Sequence, residues 1–216
     1  MKQLIIIGAG GTGQDVAGFV ADINAQGPTY ECLGFLDDDA SKHGAELCGL
    51  EVLGPLSRAA EYPEASFVNC LGSPRTILQR EPRVHELGID DATFETIIHP
   101  SAIVAAGCSI GSGCIVYPFT HLGPGVELES QVVVLSHSVI HHHSRVGRFS
   151  IVASGCNVSG YVRIGASCYL GTGCSIRDGL QVGDGALVGM GSTVIDDVDP
   201  GTVVAGVPAR FLRASA

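Results

Sequence analysis

The chain has no tryptophan, two methionines and two lysines, Lys2 and Lys42, among its 216 residues. Aromatic residues make up 6% of it and charged residues 16%. Twelve basic residues against 22 acidic ones leave a formal charge of −10, which excludes the basic footprint that a nucleic-acid partner requires. Long hydrophobic runs are also missing. The apolar run Leu4–Ile7 is interrupted by glycines after four residues. It is too short for a signal peptide or a membrane span, so the expected location is the cytoplasm. None of the eight cysteines forms a CxxC pair. That removes the common zinc and redox motifs and fits a reducing compartment. A hydrophobic content of 45% with mean hydropathy +0.33 is that of a well-packed globular protein.

What the chain does have is a period. From Ile98 through Val104, Ile110 and Val116 to Val194, every sixth residue is aliphatic, seventeen in succession. Four residues after each aliphatic stands a mostly small residue, such as Ala102, Thr120, Ser138, Ser144 or Ala186. Cys108, Cys114, Cys156, Cys168 and Cys174 fall in this second register, where they are expected to act as small buried hydrophobes. Six residues are too few for a helix and a turn, but fit one short strand and one tight corner. Three such steps close an 18-residue triangular coil, and stacked coils bury a continuous aliphatic core. This is the hexapeptide repeat of the left-handed parallel β-helix. Its hand lies outside the usual right-handed crossover rule and rests on the family resemblance described below. Glycines directly after the aliphatic (Gly111, Gly123, Gly147, Gly165, Gly171, Gly183, Gly189) are expected at corners that need positive φ.

Residues 1–93 lack this period and read as a small α/β Rossmann-like domain, leaving 94–216 for the β-helix. Lys2–Ile7 reads as a strand, Gln14–Ile23 as a helix, Glu31–Leu36 and Ser66–Leu71 as further strands, and Arg75–Leu87 as mostly helical. Gly8-x-Gly10-x-x-Gly13 with Asp37 downstream matches the dinucleotide fingerprint, which read literally means NAD. A dinucleotide fold needs two mononucleotide halves, however, and about 93 residues hold little more than one. The loop chemistry is more general. Backbone N–H groups at a helix N-terminus donate to phosphate oxygens, and a carboxylate after the second strand accepts from ribose or base donors. Gly10, Gly11, Thr12, Asp37 and Asp38, with Gly72 and Ser73 after the third strand, are therefore the expected contacts of a nucleotide-linked sugar.

The motifs IIIGAGGTGQDV, GFLDDD, TIIHPSAIV, VIHHHSRVGRFSIVASGCNVSGYVRIG and VVAGVPARFL together resemble the NeuD/PglD-type sugar acyltransferases over nearly the whole chain. That family includes nucleotide-amino-sugar N-acetyltransferases and sialic-acid O-acetyltransferases. The resemblance implies a homotrimer of β-helices, acetyl-CoA as cosubstrate in the groove between neighbouring helices, and a nucleotide-linked amino sugar, of 4-amino-4,6-dideoxy type, as acceptor in surface glycan biosynthesis. It places the catalytic histidine at His142, five residues before Gly147. It also assigns an oxyanion-donor role to Gly160 or Gly155, and cofactor contacts to Gly155, Gly160, Gly189 and Arg210. Three positions depart from the family pattern. His143 stands where an acidic residue is usual, Leu135 where an asparagine is, and Thr12 where a histidine is often found.

A neutral imidazole is the right side chain for taking a proton from an attacking amine near neutral pH. His137, His141, His142 and His143 crowd one coil. His137 and His142 also have the spacing of two zinc ligands in the γ-class carbonic anhydrases, with His121 or His99 available as a third. Against that reading, the nucleotide-type N-terminal domain and the Gly-x-Pro-Ala element would be superfluous. Transfer to a sialic-acid hydroxyl is the nearer alternative to transfer to an amine.

Overall fold

The computed structural model describes residues 1–215. They form two units, Met1–Leu71 with Pro82–Pro100, and Gly72–Glu81 with the residues from 101 onward.

The first unit is built on β1 (Lys2–Ile7), whose Leu4–Ile7 run is fully buried. β1 lies between β2 (Tyr30–Leu36) and β5 (Ser66–Asn69), and both pairings are parallel. Helix α1 (Gly11–Gln26) crosses between β1 and β2 and buries Val16, Phe19 and Val20. Two strands extend the sheet beyond the sequence reading. β3 (Glu46–Leu47) and β4 (Leu50–Gly54) form a hairpin, and β4 adds in parallel to β2, giving the order β3-β4-β2-β1-β5. Helix α2 (Ile77–His85) is shorter than the expected 75–87.

In the second unit each hexad gives a two-residue strand, and strands pair in parallel with those 18 residues away, as in His121↔Val139 and Val139↔Asn157. Three flat stacks result. One runs from Ile103–Val104 to Thr193–Val194, one from Ser109–Ile110 to Gln181–Val182, and one from Ile115–Val116 to Thr202–Gly206. A last strand, Ala209–Ala214, folds back antiparallel on Thr202–Gly206. The architecture is a left-handed parallel β-helix preceded by a Rossmann-like unit. The aliphatic register is buried at every step from Val116 to Val194. The first coil is the exception, with Val104 38% exposed.

The small register also behaves as expected. Cys114, Cys156, Cys168 and Cys174 are buried free thiols, and burial pushes the Cys114 and Cys168 thiols up to about 11. Serines in this register satisfy their hydroxyls on the next coil. Ser138 Oγ donates to Ala153 O (2.7 Å) and Ser144 Oγ to Ser159 O (2.8 Å).

The corner glycines correct the sequence reading. Positive φ recurs at every sixth residue from Gly107 to Gly191, but in a different register from Gly111, Gly123, Gly147 and their equivalents. Those glycines are required by close approach. A Cβ on Gly147 would lie 2.5 Å from Gly165 C and 2.6 Å from Ala166 N on the next coil, so no side chain fits.

Segment 72–81 packs with the β-helix. Arg80 is 1% exposed, donates to the Gln131 carbonyl and places its guanidinium 5.6 Å from the Phe149 ring centroid. Among the described residues no helix is long and apolar enough to cross a membrane.

Candidate active site

The repeat stacks corners as well as strands. Corner residues 18 apart lie one above another, and at most corners the positive-φ position is glycine. An L-residue there costs about 1–2 kcal/mol, so non-glycine corners need a reason. On one edge of the β-helix these are His143 (φ 56°) and Tyr161 (φ 60°), between Gly125 and Gly179. Their rings stack at 5.1 Å between centroids, with 9° between planes. On another edge Phe119 and His137 stack at 5.2 Å and 14°. On the third edge Gln131, Phe149 and Ser167 take the same position, so a non-glycine corner alone does not mark a site, and it is the stacked rings that set the first two edges apart.

His142 precedes His143 on the first of these corners. Its ring lies against Gly160, one coil on. A Cβ at Gly160 would lie 2.6 Å from His142 Cε1 and 2.9 Å from Nε2, so only glycine leaves room for the imidazole. His142 Nδ1 is 3.2 Å from His143 Nδ1, and its ring meets Tyr161 edge-on at 5.1 Å. The backbone around Gly160 is tied on both sides by Ser144, which donates to Ser159 O and accepts from Val162 N–H (3.1 Å). Tyr161 N–H donates to His142 O at 3.0 Å. Among the described residues the Gly160 N–H donates to no acceptor, whereas the Gly155 N–H is used on Ser136 O at 3.0 Å. Of the two glycines considered as oxyanion donors, Gly160 alone has both a free donor and a neighbouring imidazole.

The other expected residues are placed as follows. Gly189 donates its N–H to Val204 O at 2.8 Å, and a Cβ there would meet Ala205 Cβ at 2.7 Å, so it serves the packing of the last strands. Arg210 pairs with Asp196 at 3.5 Å and lines a cavity of about 200 Å³ with Asp196, Asp197 and Asp199, a poor setting for a phosphate. Ser73 opens its turn by accepting from Arg75 N–H at 3.3 Å, with Thr76 Oγ1 at 2.9 Å. Gly72 has φ 132° and leaves room for the Arg80 side chain. His137 is held by its Phe119 stack, and His141 is exposed. Among the described residues no group of three His, Cys, Asp or Glu side chains gathers as a metal site.

In the first unit, Gly8 turns the chain out of β1 with φ 97°, and Gly13 lets α1 press onto the Gly8 carbonyl. Gly10 caps α1 without a side-chain bond, and a Cβ on Gly10 or Gly11 would meet nothing within 4 Å, so the loop is open to solvent. Asp37 is committed internally. Oδ2 accepts from Ala9 N–H (2.8 Å) and Lys42 Nζ (3.0 Å), and Oδ1 accepts from Asp39 N–H (2.9 Å). Burial raises this carboxyl, but the Asp39 and Ala9 N–H donors and the Lys42 ammonium outweigh it and hold it below the usual carboxylate range. Asp38 accepts from Leu56 N–H at 3.0 Å. Both Asp37 oxygens thus hold the loop and the chain around Lys42 together. Isothermal calorimetry is expected to show no NADH binding and measurable binding of a nucleoside-diphosphate sugar. Tight NADH binding would refute this reading of the loop.

The fold and the similarities that follow define a class, the hexapeptide-repeat acyltransferases. Residues 3–79 match the PglD N-terminal domain model, and residues 93–198 the GMPPB C-terminal domain model. The acetyltransferase domain of PglB from Neisseria gonorrhoeae FA1090 is 30% identical, with a TM-score of 0.84, over 98% of this chain and 100% of that one. The same domain in complex with acetyl coenzyme A gives 30% and 0.83 over 98% and 99%. PerB from Caulobacter crescentus, solved with CoA and GDP-perosamine, shares the fold at 22% identity and a TM-score of 0.82, over 98% of each chain. Among curated sequences, the acyl-[acyl-carrier-protein]–UDP-N-acetylglucosamine O-acyltransferase of Rhizobium johnstonii is 39% identical over 51 residues, 24% of this chain and 19% of that protein's length. The chain belongs to the PglD/NeuD-type sugar acyltransferases.

Proposed function

We propose that the protein transfers the acetyl group of acetyl-CoA to the amine of a nucleotide-linked amino sugar, of 4-amino-4,6-dideoxy type, in the making of a surface glycan. The observation that carries this reading is the His142 imidazole held against Gly160, beside a free backbone N–H. The amine nitrogen attacks the thioester carbonyl carbon. The tetrahedral oxyanion takes the Gly160 N–H, and His142 Nε2 takes the proton that the nitrogen loses. Collapse breaks the C–S bond, and the CoA thiolate recovers the proton from the imidazolium, leaving an amide and CoA.

The missing carboxylate at position 143 favours an amine over a hydroxyl acceptor. A neutral amine is already nucleophilic and sheds its proton only as the bond forms. A hydroxyl must be deprotonated during attack and demands a stronger base. The open glycine loop at Gly10–Thr12 supplies backbone N–H groups for the diphosphate. Acetyl-CoA release of thiol against a panel of UDP-, GDP- and dTDP-linked 4-amino sugars tests the reading. Turnover with an amino sugar but not with its 4-hydroxy analogue supports it, and turnover of the hydroxy sugar or free sialic acid alone overturns it.

We further propose a homotrimer, with the His142 edge facing a neighbouring copy. An edge carrying exposed imidazoles and Tyr161, 59% exposed, offers one wall of a groove and needs a second. Light scattering at micromolar concentration is expected to give three times the 22.2 kDa chain mass, and a monomer would contradict the assembly.

A further inference from the structure

We propose that His143 and Tyr161 are a positioning pair that fixes the tautomer and orientation of His142 without adding a carboxylate's charge, and that His143 must be neutral, with its proton on Nε2, for the enzyme to turn over. This rests on the reading of His142 as the general base.

The argument begins with one distance. The two Nδ1 atoms are 3.2 Å apart, and such a pair shares a single proton, one ring donating and the other accepting. For His142 to act as a base through Nε2, its own proton must sit on Nδ1. His143 Nδ1 is then the acceptor, and the His143 proton is on Nε2. This contact fixes both the tautomer and the orientation of the base, as a carboxylate acceptor does elsewhere.

An acceptor is useful only if it is held still. His143 is fixed by its backbone, whose N–H donates to Pro124 O at 3.0 Å, and by its ring, which lies between Gly125 and the stacked Tyr161. Both residues occupy positive-φ corners where glycine would be free of strain, so the stack is maintained against a backbone cost. The groups packed against His143 are the His142 imidazole on its own corner, the Tyr161 phenol on the next coil and Gly125 on the preceding one. Among the described residues no carboxylate or guanidinium is paired with either imidazole.

The test combines a readout of tautomers with the kinetics of variants. Long-range ¹H–¹⁵N spectra of the ¹⁵N-histidine protein should show His142 protonated at Nδ1 and His143 at Nε2, in the absence of any substrate. With acetyl-CoA and the amino sugar turned over in the thiol-release panel, His143→Asn keeps a fixed amide acceptor. It should lose less than about tenfold in kcat. Tyr161→Gly suits the corner backbone and removes the brace. It should lower kcat about tenfold with KM for acetyl-CoA unchanged, and His143→Ala in that background should add little. A His142 proton on Nε2, or a loss in His143→Asn as large as in His142→Asn, overturns the proposal. If His142→Asn is itself fully active, the base reading fails instead, so the two failures are distinguishable.

Discussion

His142→Asn is expected to lower kcat by about 10²–10⁴, the usual worth of a positioned general base. Asparagine has no basic nitrogen, so the proton leaving the attacking amine has no protein acceptor at this corner. The amide is smaller than the imidazole and meets no obstacle at Gly160, so the fold should stand. KM for acetyl-CoA should barely move, because the imidazole acts on the proton and not on CoA. A fall in kcat and kcat/KM together is the signature of an interaction made in the transition state. Near-full turnover would show that His142 is not the base, and that the rate comes from positioning and the Gly160 N–H alone.

Gly160→Ala should be nearly as damaging, for a steric reason. The added methyl would lie 2.6 Å from His142 Cε1, 2.9 Å from Nε2 and 3.1 Å from Nδ1. The ring must swing away, breaking its contact with His143 and moving Nε2 by about an ångström or more. A misplacement of that size costs about 10²-fold. The ring is exposed and can move into solvent, so the melting temperature should change little. The cause can be isolated in a double mutant. If the methyl acts by displacing the ring, Gly160→Ala should cost little in the His142→Asn background. A full additional loss there would mean that the substitution disturbs the oxyanion donor instead.

Much of this was legible in the sequence because the repeat is strict. An unbroken six-residue period fixes which side chain faces the core, and the aliphatic register is buried from Val116 to Val194. The glycine loop, β1, α1 and β2 were legible for a similar reason, since a buried run followed by Gly8, Gly10 and Gly13 leaves few alternatives. Three features lie beyond the sequence reading. The glycines after the aliphatics were assigned to positive φ, whereas they are demanded by the backbone of the next coil, a contact made 18 residues away. The β3–β4 hairpin was missed because β3 is only two residues long. Its signal was Cys48-Gly49, with φ 52° and 76°, between the paired Leu47 and Leu50. Tyr161 was overlooked although the coil length was known. Counting 18 residues on from His143 reaches it directly, so the period that revealed the fold could also have revealed the brace.

The most direct test of the account is transfer from [1-¹³C]acetyl-CoA to a nucleotide-linked 4-amino sugar, followed by NMR with the wild-type enzyme and His142→Asn side by side. The account predicts a ¹³C amide carbonyl on the sugar nitrogen, in step with thiol release, for the wild type, and about 10²–10⁴-fold less product per unit time for the variant. An ester carbonyl, thiol release without a labelled sugar, or equal rates for the two proteins would contradict it.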